Sequence, residues 1–191
     1  MSKYTTAIVA GFIAAALMTF LMMFVFEGVT PYIYGIFTGA FVAYIFANLA
    51  GNRKVPTADA AQKEAALALK PPPGKALLVV YREGFVAKLA GLNIAVDGKE
   101  FVQLTAPKFT VLTLPPGVHT LTCGFGGLAG PQSKPGTYEF TVGEAGVATV
   151  GIGVRMGAVQ GSLKFTPLAS ADAARAKVAG MPMVVASPAE I

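Results

Sequence analysis

The chain has 191 residues, which allows one modest domain or one small domain with an appendage. Hydrophobic residues make up 54% of it and charged residues only 13%. Globular domains average about 25% charged residues, so this composition excludes an intrinsically disordered chain and disfavours a simple soluble enzyme. Residues 1–50 carry only Lys3 and Glu27 as charged side chains, and the net charge of +5 therefore belongs to the remainder.

The first apolar segment, residues 6–26, runs for 21 residues without a charge. About 20 apolar residues cross the hydrocarbon core of a bilayer as a helix, and a helix satisfies its own backbone where water is absent. The apolar run of a secretory signal peptide is usually shorter, and a cleavage site of small residues follows it. Because no such site follows Phe26 and no cysteine lies nearby, we expect a retained membrane span and neither a signal peptide nor a lipoprotein anchor.

A second uncharged segment covers residues 32–50, which is 19 residues and long enough for a second span. The connection Glu27–Pro31 interrupts the apolar pattern. Thr30 is predicted to cap the second helix, with Pro31 at its first position. So short a connection predicts an antiparallel helical hairpin.

Small residues recur at every fourth position of the second predicted helix and twice in the first. Such stripes let helix backbones approach closely in lipid, where packing replaces the hydrophobic effect. The stripe either closes the hairpin on itself or docks on a partner's transmembrane helix. The other faces are rich in Phe and Met. They suit contact with lipid, partner helices or pigment, and the sequence does not distinguish these three. The predicted helix-packing residues are Gly11, Ala15, Gly35, Gly39, Ala43 and Ala47.

The charges that flank the two segments predict their orientation. Neither segment contains Asp, Glu, Lys, Arg or His, which argues against a transporter or channel that works alone. Lys3 precedes the first segment, and Arg53 and Lys54 follow the second, whereas the connection carries only Glu27. The positive-inside rule therefore predicts a bacterial inner-membrane protein with both termini and the remaining domain in the cytoplasm.

The polar remainder begins with a predicted helical, proline-rich linker. Thr57 is expected to cap a short Ala-rich helix that extends to Lys70, and Pro71–Gly74 ends it. The predicted organisation is a two-span hairpin at 1–54, this linker at 55–74, a β-sandwich at 75–168, and a short helix with an extended tail at 169–191.

From residue 75 onward the apolar residues alternate with polar ones, as they do in half-buried β-strands. Asp97-Gly98 is typical of a type I′ hairpin turn, and Pro115–Gly117 and Gly143–Gly146 mark further turns. Seven or eight short strands with regular turns indicate an antiparallel sandwich of the Ig-like or transthyretin-like kind. The predicted fold class is therefore an N-terminal transmembrane α-hairpin followed by an all-β sandwich.

Two short motifs carry a resemblance to known domains. The run V-D-G-K at Val96–Lys99 and the run L-P-P-G-V-H-T-L-T at Leu114–Thr122 resemble bacterial PEGA-like and DUF2846-like β-sandwich domains, over roughly Lys75 to Thr166. Members of these families often follow a lipoprotein signal or a membrane anchor. The resemblance implies a binding or scaffolding module and not an enzyme.

The predicted partner contacts lie in a glycine-rich loop and in the tail. The run Gly124–Gly130 lacks the lysine and the helix of a phosphate-binding loop, so we expect a mobile loop available for protein contact. The apolar tail, broken by Pro182 and Pro188, is either a free end or an extended arm docked on a partner. The possible partner-contact residues are Phe125, Leu128, Met181 and Met183.

The residues that could carry chemistry are few. His119 is the single histidine and Cys123 the single cysteine, which excludes an internal disulfide and multi-residue zinc sites. At about 3.3 Å per residue, positions i and i+4 of a strand are too far apart to act as nucleophile and base. The basic residues are scattered, which disfavours nucleic-acid binding. We therefore predict no catalytic, cofactor-binding or metal-binding residues and no enzyme activity.

These patterns lead to one expected function and one alternative. The first is a non-catalytic accessory subunit, anchored in the membrane, that packs against a larger integral complex of respiratory, photosynthetic or secretion type. Its partners would be integral membrane subunits and membrane lipids. The alternative is a periplasm-facing module that binds a ligand or senses the state of the envelope.

Overall fold

The structure, a computed structural model, describes residues 4–126, 130, 133–157 and 160–187. The chain divides into two compact units, a helical one before residue 53 and a β-rich one from residue 53 onward. The segments predicted as linker and tail thus belong to the compact β-rich unit.

The helical unit is an antiparallel hairpin of α1 (Thr5–Met22) and α2 (Thr30–Leu49). With 18 and 20 residues and mean hydropathies of 2.0 and 1.5, both helices are long and apolar enough to cross a membrane. α1 ends four residues earlier than predicted because the chain already turns at Met23. Thr30 is the first helical residue of α2 and not its cap, since Val29 takes the cap position without a side-chain hydrogen bond.

The described part of the β-rich unit contains eight strands. They are β1 (Ala76–Arg82), β2 (Leu92–Val96), β3 (Lys99–Leu104), β4 (Lys108–Leu114), β5 (Gly117–Phe125), β6 (Gly136–Val142), β7 (Val147–Arg155) and β8 (Ser162–Pro167). They form two four-stranded sheets with the orders β4-β1-β7-β8 and β3-β2-β5-β6. The predicted fold class, an apolar helical hairpin followed by a β-sandwich, is confirmed.

One strand pair departs from the antiparallel prediction. β1 and β7 pair in parallel, with Leu77 opposite Val147, while the other strand pairs described are antiparallel. Parallel neighbours need a long crossover, and here residues 83–146 supply it, since they build the whole second sheet and β4. Alternation along single strands does not reveal which distant strands become neighbours.

The interior is divided between two hydrophobic clusters because β1 is covered on both faces. Leu78 and Val80 point into the main core between the sheets. Val79 and Tyr81 point to the other side, where they pack against the helices α3 (Ala60–Leu67) and α4 (Ala171–Val178). This double burial explains why β1 is continuously apolar up to its last residue.

The N-cap of α3 differs from the predicted one. Asp59, and not Thr57, caps the helix: its carboxylate accepts from the Gln62 amide at 2.7 Å, and the Gln62 side chain accepts from the Asp59 amide at 3.0 Å. Thr57 is instead engaged in a β-bridge with Val184. This pair of hydrogen bonds, a capping box, satisfies two backbone donors at the start of the helix at once.

The tail is held against the edge of the first sheet. The Phe109 amide donates to the Pro182 carbonyl at 3.1 Å, and the Val184 amide donates back to the Phe109 carbonyl at 2.9 Å. Further along, the Ser187 amide donates to the Phe101 carbonyl at 2.8 Å. The tail thereby covers the outer edge of β4, an exposed row of backbone groups that would otherwise invite pairing with another chain.

Two glycines on one face of β7 provide a matched test of packing. A Cβ at Gly151 would lie 2.8 Å from Cε2 of buried Tyr81, whereas nothing lies within 4 Å of a Cβ at Gly153. We expect Gly151→Ala to lower the free energy of unfolding by about 1–3 kcal/mol, the usual effect of overpacking. Gly153→Ala should change it by less than about 0.5 kcal/mol. Urea unfolding of the full chain in detergent measures both, and equal effects would contradict this packing.

Candidate functional site

The small residues of the hairpin lie between the two helices. A Cβ at Gly39 would lie 2.7 Å from the Ala15 Cβ and 2.7 Å from the Gly11 carbonyl oxygen, and a Cβ at Gly11 would lie 2.7 Å from the Ala43 Cβ. At Gly35 an added Cβ would collide with the Thr19 hydroxyl. The two backbones therefore touch along the stripe, and the predicted packing residues up to Ala43 face one another inside the hairpin.

The last residue of the stripe, Ala47, lies one turn further along α2 and is half-buried. The contacts described run from Gly11 to Ala43 and lie within the hairpin; docking of the stripe on a partner helix, the other interpretation that the sequence left open, stays a prediction. One edge of the stripe also faces away from the contact between the helices, where it lines a groove.

An open apolar groove of about 320 Å³ runs along one side of the hairpin. Each helix contributes four residues at the spacing i, i+3, i+4 and i+7, the spacing of a single helix face. Small residues form the floor of the groove, and Ile and Phe side chains form its rims. The lining residues are Ile8, Gly11, Phe12 and Ala15 of α1, and Ile36, Gly39, Ala40 and Ala43 of α2.

Large apolar side chains cover the rest of the hairpin surface. Phe24, Phe37 and Phe41 are 75%, 73% and 64% exposed. Exposed apolar patches of this extent mark contact with lipid or with other proteins. The surface of the hairpin is thus suited to contact with lipid or protein and not with water.

In the β-rich unit, His119 joins two turns. Its Nδ1 lies 2.7 Å from an Asp97 carboxylate oxygen and its Nε2 lies 2.9 Å from the Pro115 carbonyl oxygen. The other Asp97 oxygen accepts from the Thr120 amide at 2.9 Å. Because both ring nitrogens face acceptors, both are engaged within the fold. The two motifs that carry the family resemblance therefore meet here as a clasp between turns.

The electrostatics of Asp97 follow from this clasp. Burial raises the pKa of the Asp97 carboxyl, but hydrogen bonds from His119 and from the Thr120 amide, together with nearby positive charge, outweigh it, so the pKa lies below its ordinary value. Asp97 and Gly98 have φ angles of 52° and 79°. Positive φ at both positions fits the predicted type I′ turn.

Cys123 lies on the same strand face as His119, inside the main core. It is a buried free thiol, and burial raises its pKa to about 12. A thiol held neutral in this way is a poor nucleophile. Its contribution is to core packing.

Arg82, the last residue of β1, has the largest fully buried side chain among the described residues, and its role is not predicted from the sequence. Its guanidinium donates to the carbonyls of Ala90, of Leu104 at 2.7 Å and of Ala87 at 2.6 Å, and it lies 5.1 Å from the centroid of the Phe125 ring. Burial lowers its pKa to about 10. The one feature of the sequence that indicates a buried arginine is its position directly after a wholly apolar run.

Three of the four predicted partner-contact residues fall within the described part of the chain. Phe125 is half-buried, packs against the main core and stacks over Arg82. Met183 is 9% exposed inside the second cluster, and Met181 packs against that cluster. Leu128 lies outside the described residues. The described ones are thus engaged within the β-rich unit itself.

Comparison with known protein families finds no family model that matches the chain, and comparison with curated proteins finds no match. Within the described residues, no three His, Cys, Asp or Glu side chains lie close enough together to hold a metal ion.

Replacing Arg82 should destabilise the sandwich and free the loop that follows β1. Arg82→Met leaves three carbonyls without their donor, and we expect it to lower the unfolding free energy by about 3 kcal/mol, as the loss of one partner in a buried polar cluster does. Trypsin should also cleave faster after exposed Lys88.

The control is Arg175→Met, since Arg175 also donates to backbone carbonyls but is exposed. It should change stability by less than about 0.5 kcal/mol. Urea unfolding and timed proteolysis of the full chain give both readouts. Equal stability of the two variants would show that the buried guanidinium does not hold the loop.

The lowered pKa of Asp97 predicts an acid-sensitive contribution to stability. A depressed folded pKa stabilises the protein above the unfolded pKa, near 4, and this stabilisation is lost as the pH falls through the lower folded value. Asp97→Asn should therefore cost about 1 kcal/mol at pH 7, a figure kept small because the side chain is 39% exposed. The difference from wild type should shrink below about pH 4.

Unfolding by urea between pH 7 and pH 3 measures this difference. Asp172→Asn, at a carboxylate that is 89% exposed, is the control and should follow the wild-type pH profile. A constant difference between Asp97→Asn and wild type over the whole range would contradict the assignment.

Proposed function

We propose that the chain is a non-catalytic, membrane-anchored accessory subunit whose hairpin packs against a larger integral membrane complex and stabilises it. The observation that carries the proposal is the groove along the hairpin. It presents one face of α1 and one face of α2 side by side, with glycine and alanine as its floor. Small residues at such a surface let a further helix approach closely.

The occupant that best fits this groove is a transmembrane helix of the partner. The groove follows the helix axes over two turns on both sides, since each helix contributes positions i to i+7. Its lining contains no charged or hydrogen-bonding side chain, so packing alone would hold the occupant. An acyl chain of lipid or a pigment is the competing occupant, and the test below separates them from protein.

The polar residues of the β-rich unit support a structural role for it. Both nitrogens of His119 are engaged in the clasp, and Cys123 is buried with a raised pKa. This arrangement agrees with the resemblance to PEGA-like and DUF2846-like domains, which implies a scaffolding or binding module. In the proposal the sandwich covers the surface of the host complex beside the membrane, and respiratory, photosynthetic and secretion complexes are the candidate hosts.

The proposal includes the orientation and location of the chain. The basic residues Arg53 and Lys54 directly follow the second apolar helix, and the connection between the helices carries only Glu27. By the positive-inside rule this pattern supports a bacterial inner-membrane protein with the β-rich unit in the cytoplasm.

Filling the groove should release the partner. We expect the tagged full chain, extracted from its native membrane in mild detergent, to carry integral membrane subunits with it. Ala40→Phe places a ring in the groove and should reduce the co-purified partner about tenfold, which corresponds to about 1.4 kcal/mol of binding free energy.

The control is Ala16→Phe, the same change at an exposed position of α1 outside the groove lining. It should retain the partner at the wild-type level, as measured by quantitative mass spectrometry. A wild-type chain that is free of protein at every detergent strength, with only lipid or pigment bound, would refute the proposal. Full retention of the partner by Ala40→Phe would refute the groove as its site.

A further inference from the structure

Large apolar side chains are exposed mainly at one end of the sandwich. Of the four described in the β-rich unit, Phe85, Leu89 and Met156 are 88%, 63% and 81% exposed at the end where β1 and β7 finish. The fourth, Val118, is 63% exposed beside a turn at the opposite end. We name the first region the loop end and define it as residues 83–91, 105–108, 133–135 and 155–157.

The loop that carries Phe85 and Leu89 is fixed in an outward position. Arg82 donates to the carbonyls of Ala87 and Ala90 within this loop. The loop is also tied to its neighbour, since the Ala106 amide donates to the Lys88 carbonyl at 3.0 Å. With its backbone held by a buried side chain, the loop cannot fold inward to bury its apolar tip. A surface that is rigid and apolar is prepared for a partner and loses little entropy on binding.

The charge around this tip is positive. The loop end holds four basic side chains, Lys88, Lys108, Lys134 and Arg155, none of them in an ion pair within the described part of the chain. Its one acidic residue, Glu83, is neutralised by Lys177 at 2.6 Å.

The opposite end differs in sign. Counted with the residues that flank them, as at the loop end, the turns at 97–100, 115–117 and 143–146 together with Lys75 carry three acidic residues, Asp97, Glu100 and Glu144, and two basic ones, Lys75 and Lys99. The positive charge is therefore concentrated around the exposed apolar tip. This pairing of bases with an apolar tip is complementary to an anionic lipid surface, where phosphates lie directly above hydrocarbon.

The chain also joins the β-rich unit at this end. The Arg53 amide donates to the Gln103 side chain at 2.6 Å, and the Arg53 guanidinium donates to the Asn93 side chain at 3.1 Å. Gln103 and Asn93 each lie two residues from the limits of the loop end, near the end of β3 and the start of β2, and the Arg53 guanidinium also pairs with Glu100 near the start of β3. Only three residues separate Arg53 from Leu49, the last residue of α2, and extended chain spans at most about 3.6 Å per residue. The membrane in which α2 would end is therefore within reach of the loop end.

We propose that the loop end is a lipid-contact surface that inserts Phe85 and Leu89 into an anionic leaflet of the membrane that carries the hairpin. The Lys88 ammonium lies between these two side chains in sequence and reaches the headgroup phosphates, while its alkyl stem runs beside the apolar tip. Arg155 and Met156 extend the same combination of charge and apolar surface. This contact goes beyond the proposed function, because it requires lipid and no partner subunit.

The absence of tryptophan from the sequence allows a direct test. Phe85→Trp and, separately, Leu89→Trp place a single fluorophore at the tip, and Val118→Trp places one at the opposite end with the same exposure as Leu89. The full-length variants are reconstituted into nanodiscs of phosphatidylcholine with or without phosphatidylglycerol. Quenching by brominated acyl chains then reports burial among the lipids.

We expect brominated lipid to quench most of the emission of Phe85→Trp and Leu89→Trp and to shift the remainder to shorter wavelength. Val118→Trp should be quenched little. Adding Lys88→Glu to Phe85→Trp, or replacing phosphatidylglycerol by phosphatidylcholine, should reduce the quenching several-fold, as should 1 M salt, at which the Debye length falls to about 3 Å.

Equal, weak quenching at both ends of the sandwich would overturn the proposal. So would a change in emission that is absent from these nanodiscs and appears only in a separate preparation that retains co-purified membrane proteins, because the tip would then bind protein and not lipid. The nanodiscs contain only this chain and lipid, so a lack of partner subunits leaves the outcome of this test unaffected.

Discussion

The position of one buried charge, the guanidinium of Arg82, organises one end of the sandwich. β1 is covered on both faces and flanked by a strand on each side, so its last residue cannot reach water. Among the described residues the charge pairs with no carboxylate; its two terminal nitrogens donate to three backbone carbonyls beside the Phe125 ring, and its Nε is buried without a hydrogen-bond partner. Two of those carbonyls belong to the loop after β1. A buried charge must be satisfied, and the loop is therefore wrapped around it with its apolar side chains outward.

Contacts within the fold also engage the residues that most resemble catalytic groups, His119, Asp97 and Cys123. His119, near the start of β5, bonds to Asp97 of the hairpin turn and to the Pro115 carbonyl of the proline-rich turn, and so fixes the relative position of the two turns. Cys123, two residues beyond Leu121 on the same strand, simply continues the core. The proposed lipid contact accordingly uses the loop end of the β-rich unit and none of these three side chains.

The sequence was sufficient for features that depend on local pattern. Uncharged segments of helical length predicted both helices, and Asp97-Gly98 predicted its turn, because positive φ at both positions suits few other residues. It was insufficient where a distant partner decides. Thr57 is a good cap in isolation, yet a bridge to Val184 removes it from the helix. The parallel pairing of β1 with β7, the acceptors around Arg82 and the groove on the hairpin likewise depend on residues far apart in the chain.

The hairpin shows how one set of residues produces two surfaces. Gly11 and Gly39 lack the side chains that would hold the helices apart, and the same lack makes the floor of the groove shallow and smooth. A larger residue at either position would meet the facing helix, separate α1 from α2, and so alter the groove that both helices line. Hairpin closure and groove shape are therefore a single packing geometry. A helix seated in the groove would rest on backbone as well as on side chains, so its binding would stabilise the closed hairpin in turn.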